Sequence, residues 1–302
     1  MSAFFPVVVF CYNRPQHLKK TLDALKSNKE ASGTSLFLFS DGPRNQEDDF
    51  IAVENVRQLI EKVEGFEDVK VFKNEHNKGL ATSVIHGVTE VLNKHEACIV
   101  LEDDLEVSSS FLSFMNQALN YYQKDEHIFS VSGYCPPINI PGDFPYEAFL
   151  FPRINSWGWG TWRARWNKVD WKVEGFEHFI FNPEKVDALS RQGKDLPVML
   201  LKQQQGKITS WAVRFNQACF EAGKTNVYPV KSLVRNLGAD GTGTNMKSSW
   251  KYQVQISRSK PEPFPAAVDE RISRAFRRFY RPSLYRRMVN YLKIFLYRQR
   301  LS

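Results

Sequence analysis

No stretch of this sequence is both long enough and apolar enough to cross a bilayer. The longest such run, Phe4 to Cys11, is short and interrupted by Pro6. A charged segment followed by an apolar one is also missing at the start, so no secretory signal is expected and the chain reads as cytoplasmic. Cysteines are few. Cys11, Cys98, Cys135 and Cys219 show no zinc-ligand spacing, and three sit beside apolar or aromatic residues, which makes them buried thiols. No Gly-x-Gly-x-x-Gly follows the first apolar run, which disfavours a dinucleotide dehydrogenase. The glycine-rich phosphate loop ending in Lys-Ser/Thr is likewise absent, which disfavours an ordinary ATPase.

Acidic residues vanish after position 270. Residues 271–302 hold ten Lys and Arg and no Asp or Glu, so of the net charge of +8 the first 270 residues carry −2. The basicity therefore belongs to the C-terminal segment and gives no reason to expect nucleic acid as a partner of the whole. A length of 302 residues with 42% hydrophobic content suits one large domain or two small ones.

The first half alternates strand and helix. Phe5 to Tyr12 reads as a buried strand, and Asn13-Arg14-Pro15 opens a helix through about Asn28, with Leu18, Leu22 and Leu25 at helical spacing. Ser35 to Ser40 predicts a second strand ending at Asp41-Gly42, followed by a helix from about Gln46 to Val63. Val69 to Phe72 predicts a third strand, Leu80 to Leu92 another helix, and Ala97 to Leu101 a fourth strand. Such alternation implies a mainly parallel sheet covered by helices, in which ligands bind beyond the carboxyl ends of the strands. The polar groups at those ends are Asn13-Arg14, Asp41, His76 to Gly79, and Glu102-Asp103-Asp104, and all four should meet at one crevice.

Three adjacent carboxylates repel one another unless a cation or ligand sits among them. The other reading makes them the start of the next helix, where negative charge suits the helix dipole. Ser108, Ser109 and Ser110 already offer hydroxyl caps before Phe111-Leu112-Phe114-Met115, so the carboxylates are not needed there.

From about residue 127 the character changes. Ile128 to Val131 and Phe149 to Phe151 predict strands on either side of a proline-rich loop, Cys135 to Pro145. Five of the seven tryptophans then fall within fifteen residues. Trp162, Trp166 and Trp171 read as core bracing, whereas Trp157 and Trp159, next to glycines, read as exposed faces for a sugar ring. Lys185 to Gln205 predicts one helix, Trp211 to Phe220 another closed by Gly223, and Val227 to Pro229 a short strand. Leu233 to Asn245 reads as a glycine-rich loop placed to close over the crevice.

Taken together, these segments resemble the GT-A glycosyltransferases, near the bacterial sugar transferases of glycosyltransferase family 2 and the N-acetylglucosaminyltransferase I group. The resemblance spans roughly residues 5–246. It rests on Val9 to Pro15, Phe39 to Gly42, His76 to Leu80, Val100 to Val107, Ser156 to Trp162, Ser210 to Phe215 and Ser232 to Asn245, with Glu102-Asp103-Asp104-Leu105 the most specific. It implies a mixed, mainly parallel α/β sheet. Residues 1–250 would form the catalytic domain, with a nucleotide-binding half at 1–126 and an acceptor half at 127–250.

The resemblance further implies that Asp104, with Asn245 as a second candidate, holds Mn²⁺ or Mg²⁺. Phe10, Arg14, Asp41, His76, Lys78, Glu102 and Asp103 would meet a nucleotide sugar, with uridine expected, and Trp157-Gly158-Trp159 would lie beside donor sugar and acceptor. Relatives place Asp two residues before the tryptophan of Ser210-Trp211 as the general base, and often end the glycine-rich loop in His. This chain has Thr209 and Asn245 there. Asp240 is then the substitute base, or the protein binds the donor with little turnover. A sugar nucleotidyltransferase is a further reading, but it needs a glycine- and arginine-rich loop after the first strand, of which only Arg14 is present.

Residues 251–270 read as a linker. In 271–302, Phe276, Phe279, Tyr280, Tyr285, Tyr291 and Phe295 interleave with arginines, with Pro282 dividing two helices. Aromatic and basic together form an interfacial composition. The expectation is peripheral attachment to an anionic membrane surface at the inner face, near a lipid-linked saccharide acceptor.

Overall fold

The computed structural model describes residues 4–44, 46–238 and 250–301. Its strands are β1 (Val7–Cys11), β2 (Ser35–Ser40), β3 (Asp68–Lys73), β4 (Ala97–Glu102), β5 (Leu105–Val107), β6 (Ile128–Ser132), β7 (Ala148–Phe151), β8 (Trp159–Trp162), β9 (Thr225–Pro229), β10 (Val234–Asn236) and β11 (Ala266–Ala267). The helices are α1 (Pro15–Lys26), α2 (Glu47–Ile60), α3 (Leu80–Leu92), α4 (Phe111–Tyr121), α5 (Arg163–Trp166), α6 (Phe176–Phe181), α7 (Pro183–Gln192), α8 (Leu196–Gln204), α9 (Trp211–Glu221), α10 (Glu270–Phe279) and α11 (Leu284–Leu301).

Nine strands form one sheet in the order β11-β7-β9-β6-β8-β4-β1-β2-β3. The pairs β4-β1, β1-β2 and β2-β3 are parallel, and β8 runs antiparallel between β4 and β6. This is the expected mixed, mainly parallel α/β architecture. The run Val7 to Cys11 is apolar throughout because helices cover both faces. Val7, Val9 and Cys11 pack with Leu18, Leu22 and Leu25 of α1 and Phe111 and Met115 of α4. Val8 and Phe10 face Val84 and Val88 of α3 and Phe215 of α9. All four cysteines are buried and free, as expected.

Four departures from the sequence reading have physical causes. Lys185 to Gln205 is two helices, because Pro197 starts α8 and cannot continue a helix from upstream. At the break, Asp195 makes a two-pronged ion pair with Arg153 at 2.8 and 2.9 Å. Ser110 occupies the position before α4 but spends its hydroxyl on the Ser259 carbonyl, 2.8 Å away, rather than on a cap. Leu105–Val107 pairs antiparallel with Val234–Asn236, so a second, two-stranded sheet pins the segment 232–238 against the carboxylates. The stretch read as a linker is sewn to the domain: β11 lies parallel to β7, and the Tyr122 hydroxyl donates to the Pro263 carbonyl at 3.2 Å and accepts from the Ala266 amide at 3.0 Å.

Beyond that stretch the chain does divide around Pro282. Ile272 and Phe276 of α10 are buried against Phe149, Phe151 and Tyr228, which makes α10 part of the core. Among the described residues, no helix is long and apolar enough to cross a membrane.

Candidate active site

The carboxyl ends of β1, β2 and β4, together with the loop before α3, open on one cavity of about 420 Å³. At its floor, Glu102 closes β4, and Asp103 and Asp104 turn the chain into β5. Asp103 accepts from the Tyr12 amide at 3.2 Å, and its carbonyl accepts from the Thr21 hydroxyl at 2.8 Å. Arg14, one residue before α1, forms an ion pair with Asp103 and places a second nitrogen 3.1 Å from Asp104 Oδ2. The Leu237 amide donates to the Asp104 carbonyl at 2.7 Å. Glycine at position 238 leaves room for this closure: a Cβ there would stand 2.3 Å from Asp104 Oδ2 and 2.9 Å from an Arg14 nitrogen, so those side chains would have to shift.

Among the described residues, eight buried side-chain polar atoms lack a hydrogen-bond partner. Three of them, Ser83 Oγ, Asp104 Oδ1 and Asn236 Oδ1, belong to residues of this cavity wall, as does Arg14 Nη1, whose contact is the ion pair with Asp104 Oδ2. Folded proteins satisfy nearly all buried polar groups, so their concentration here marks a surface built for a polar ligand.

The electrostatics agree. Burial, then the neighbouring Asp104 and Asp103 charges, push the Glu102 carboxyl up to about 8. Burial raises Asp103 to about 6, opposed by Arg14 and assisted by Asp104. Arg14 is held charged by Asp103 and Asp104 against its own burial. Between these values and the ordinary carboxylate range near 4, the folded chain binds more protons than the unfolded one, so stability falls as pH rises through that window. Thermal melts in chelating buffer are expected to lose on the order of 2 kcal/mol between pH 5 and pH 8.5, discounted for the open side of the cavity. Glu102→Gln should flatten that slope.

The other expected residues distribute unevenly. Phe10, Asp41 and Lys78 line the cavity, and Thr209 stands exposed at its edge. Asp41 already spends Oδ1 on the Gly42 and Lys78 amides at 3.0 and 2.9 Å and on Asn74, and Oδ2 on the Gly79 amide at 2.9 Å. It therefore anchors the loop that starts α3 and keeps little capacity for a ligand. His76 is exposed and takes no part in the wall. Of the tryptophan-glycine segment only Trp157 reaches the cavity, braced edge-on by Tyr134 with ring centres 4.6 Å apart. Gly158 is buried with φ +60°, and Trp159 is 1% exposed, stacked on Trp211 at 4.7 Å within the core. The reading of Trp159 as an open sugar platform is thereby corrected: a side chain inside β8 is covered by α9. Asp240 and Asn245 lie outside the described residues.

One wall, apart from Asn13, carried no signal in the sequence. Tyr12 donates its hydroxyl to Asp49, which also accepts from Asn13 Nδ2 at 2.7 Å and the Arg44 amide at 2.6 Å, and the Arg44 guanidinium sits 5.4 Å from the Tyr12 ring centre. Asp49 gave no signal beyond helix-start charge. Asn236, by contrast, lay within a segment the resemblance marked.

The family model described as glycosyl transferase family 2 matches residues 7–180, more than half of the chain, including the β1, β2 and β4 ends at the cavity and the loop before α3. The chain belongs to that family. Among solved structures, it is similar to S. aureus TarS 1–349 in complex with UDP, with 13% identity and a TM-score of 0.43 over 76% of this chain and 59% of that one. It is also similar to an active-site mutant of LgtC, with 8% identity and a TM-score of 0.39 over 71% of this chain and 70% of that one. The chain thus spans 59% of the TarS chain to which it is matched.

No three His, Cys, Asp or Glu side chains among the described residues gather into a complete metal site. A divalent ion that arrives with a diphosphate needs less from the protein, since one or two carboxylates suffice when phosphate oxygens and water complete the shell. Asp104, with its buried and unpartnered Oδ1, fits that partial role.

Proposed function

We propose that this family member moves a hexose, with N-acetylglucosamine the first candidate, from a uridine diphosphate donor to a glycan or lipid-linked saccharide, with inversion. The observation that carries the reading is the set of three unpartnered polar atoms, beside the Arg14 guanidinium, around one cavity at the strand ends. Phe10 and Tyr12 wall the nucleotide side, Glu102 and Asp103 take the ribose and sugar hydroxyls, and Arg14, Arg44 and Lys78 supply positive charge for the diphosphate. Trp157 offers its ring to the transferred sugar or the acceptor.

In the reaction, the bond from the anomeric carbon to the phosphate oxygen breaks with its electrons leaving on the diphosphate. The acceptor oxygen bonds from the opposite face, and its proton passes to a base. Bound Mn²⁺ or Mg²⁺, held in part by Asp104, would stabilise the charge that develops on the leaving diphosphate. A threonine hydroxyl cannot serve as that base near neutral pH, which leaves Asp240 as the candidate and favours, as the second reading, a binding protein with little turnover. The basic C-terminal segment would keep the chain at the inner membrane face, close to a lipid-linked acceptor.

Thermal stabilisation by a panel of nucleoside diphosphates and their sugars, with and without Mn²⁺, tests the reading. UDP or its sugars at a hundred times Kd should raise the midpoint by about 4 °C. No shift from any nucleotide would remove the proposal, and a shift without donor cleavage would select the second reading.

A further inference from the structure

The two C-terminal helices share a composition but not an environment. The core residues of α10 are buried, whereas α11 shows solvent a continuous apolar stripe. Leu284, Tyr285, Met288 and Tyr291 are 72%, 78%, 72% and 74% exposed, and Leu292, Phe295 and Leu296 are about half exposed. These positions recur in steps of three and four, so they form one face along the helix. The opposite face is docked: Ile294 and Tyr297 pack on the cluster of α6 and α8, and the Arg298 guanidinium donates to the Ile180 carbonyl at 2.6 Å. Exposure of the stripe is therefore fixed by the fold and is not that of a loose end.

Charge flanks the stripe. Arg286, Lys293 and Arg300 recur every seven residues and so stand in one row beside it. Lys202 of α8 extends the row: burial, then Lys293, Arg286 and Lys207, lower its pKa. Helix α11 carries five Lys and Arg and no Asp or Glu. No carboxylate among the described residues pairs with Arg286, Arg287, Lys293 or Arg300. Along α11 from Leu284 to Arg298, a groove of about 860 Å³ runs between it and α7 and α8, lined by Val186, Pro197, Val198 and Met288, with the cations Lys194 and Arg287 and one carboxylate, Asp187, which pairs with Arg191.

An apolar face bordered by uncompensated cations calls for an occupant that is both apolar and anionic. A second copy of this chain does not meet that need, since pairing the stripes would bring two helices with five cations each together. Five cations in eighteen residues also exclude a spanning helix. We propose that α11 is the membrane-seating element: it lies along an anionic bilayer, with its apolar stripe among the acyl chains and the Arg286, Lys293 and Arg300 row at the lipid phosphates. The proposal rests on the membrane placement given above and narrows it from residues 271–302 to one face of one helix. It is independent of the donor.

Co-sedimentation of the full chain with vesicles tests it, using phosphatidylcholine alone or mixed with phosphatidylglycerol. Binding is expected only to the mixed vesicles and should weaken with salt. The triple variant Tyr291→Ser, Leu292→Ser, Phe295→Ser should bind at least about tenfold more weakly. The variant Arg286→Gln, Lys293→Gln, Arg300→Gln should lose about a hundredfold. Arg274→Gln with Arg278→Gln on α10 should change little. Equal binding to neutral vesicles, or α11 variants that bind like the original chain, would overturn the proposal. So would a dimer in light scattering that the Tyr291, Leu292, Phe295 variant dissolves while vesicles go unbound. UDP stabilisation read on the same samples separates the two ideas: retained without vesicle binding, it sinks the role of α11 alone.

Discussion

Asp104→Asn is expected to lower donor turnover by about a thousandfold, equivalent to about 4 kcal/mol of transition-state stabilisation. The substitution keeps the side-chain shape and the 2.7 Å bond from the Leu237 amide to the Asp104 carbonyl, so the fold should survive. It removes the charge that faces Arg14 and the unpartnered Oδ1. Asp103→Asn is the comparison. Both carboxylates touch Arg14, but Asp103 is also held by the Tyr12 amide, while only Asp104 keeps a buried oxygen without a partner. If the two act merely by fixing Arg14, both variants should lose activity equally and keep the same Mn²⁺ response. If Asp104 holds the ion, its variant alone should lose the added stabilisation that Mn²⁺ gives with UDP, whereas Asp103→Asn should raise the donor KM. Initial rates and thermal shifts on the pair decide between them, and an Asp104→Asn chain with unchanged rates would end the metal assignment.

The strand ends could be read from the sequence because each is a local signal. Ser35–Ser40 and Leu80–Leu92 match their expected bounds, and the polar residues that follow the parallel strands had to meet by topology. What escaped depends on distant partners. The β5 strand is three residues long and finds its partner 129 residues away, too short for a periodic signal. Asp49 reads as helix-start charge until Tyr12 and Asn13 arrive beside it. Helices α10 and α11 look alike in composition, and only the outer strands of the sheet decide which one is buried. The site's centre was therefore legible while its walls were not, because walls are made by contacts that no neighbouring residue announces.

Trp159→Ala is expected to cost about 3–5 kcal/mol of stability, the range for deleting a large buried aromatic side chain. Its ring is stacked between Trp211 at 4.7 Å and Trp166 at 5.9 Å and touches Phe215, so truncation leaves a void that three rigid rings cannot collapse into. Trp157→Ala should behave oppositely. That ring lines the cavity, packs edge-on against Tyr134 and Tyr252 and is only partly buried, so its loss should leave the melting midpoint within a few degrees and raise the KM for donor or acceptor about tenfold. The contrast follows from Gly158. Two residues apart in a regular strand share a face, but the left-handed φ of +60° at Gly158 breaks the alternation just before β8, sending one tryptophan to the ligand and the other to the core. Chemical denaturation of both variants beside their steady-state kinetics tests this division. A stable Trp159→Ala chain with impaired KM would return the sugar platform to Trp159 and would place β8 differently.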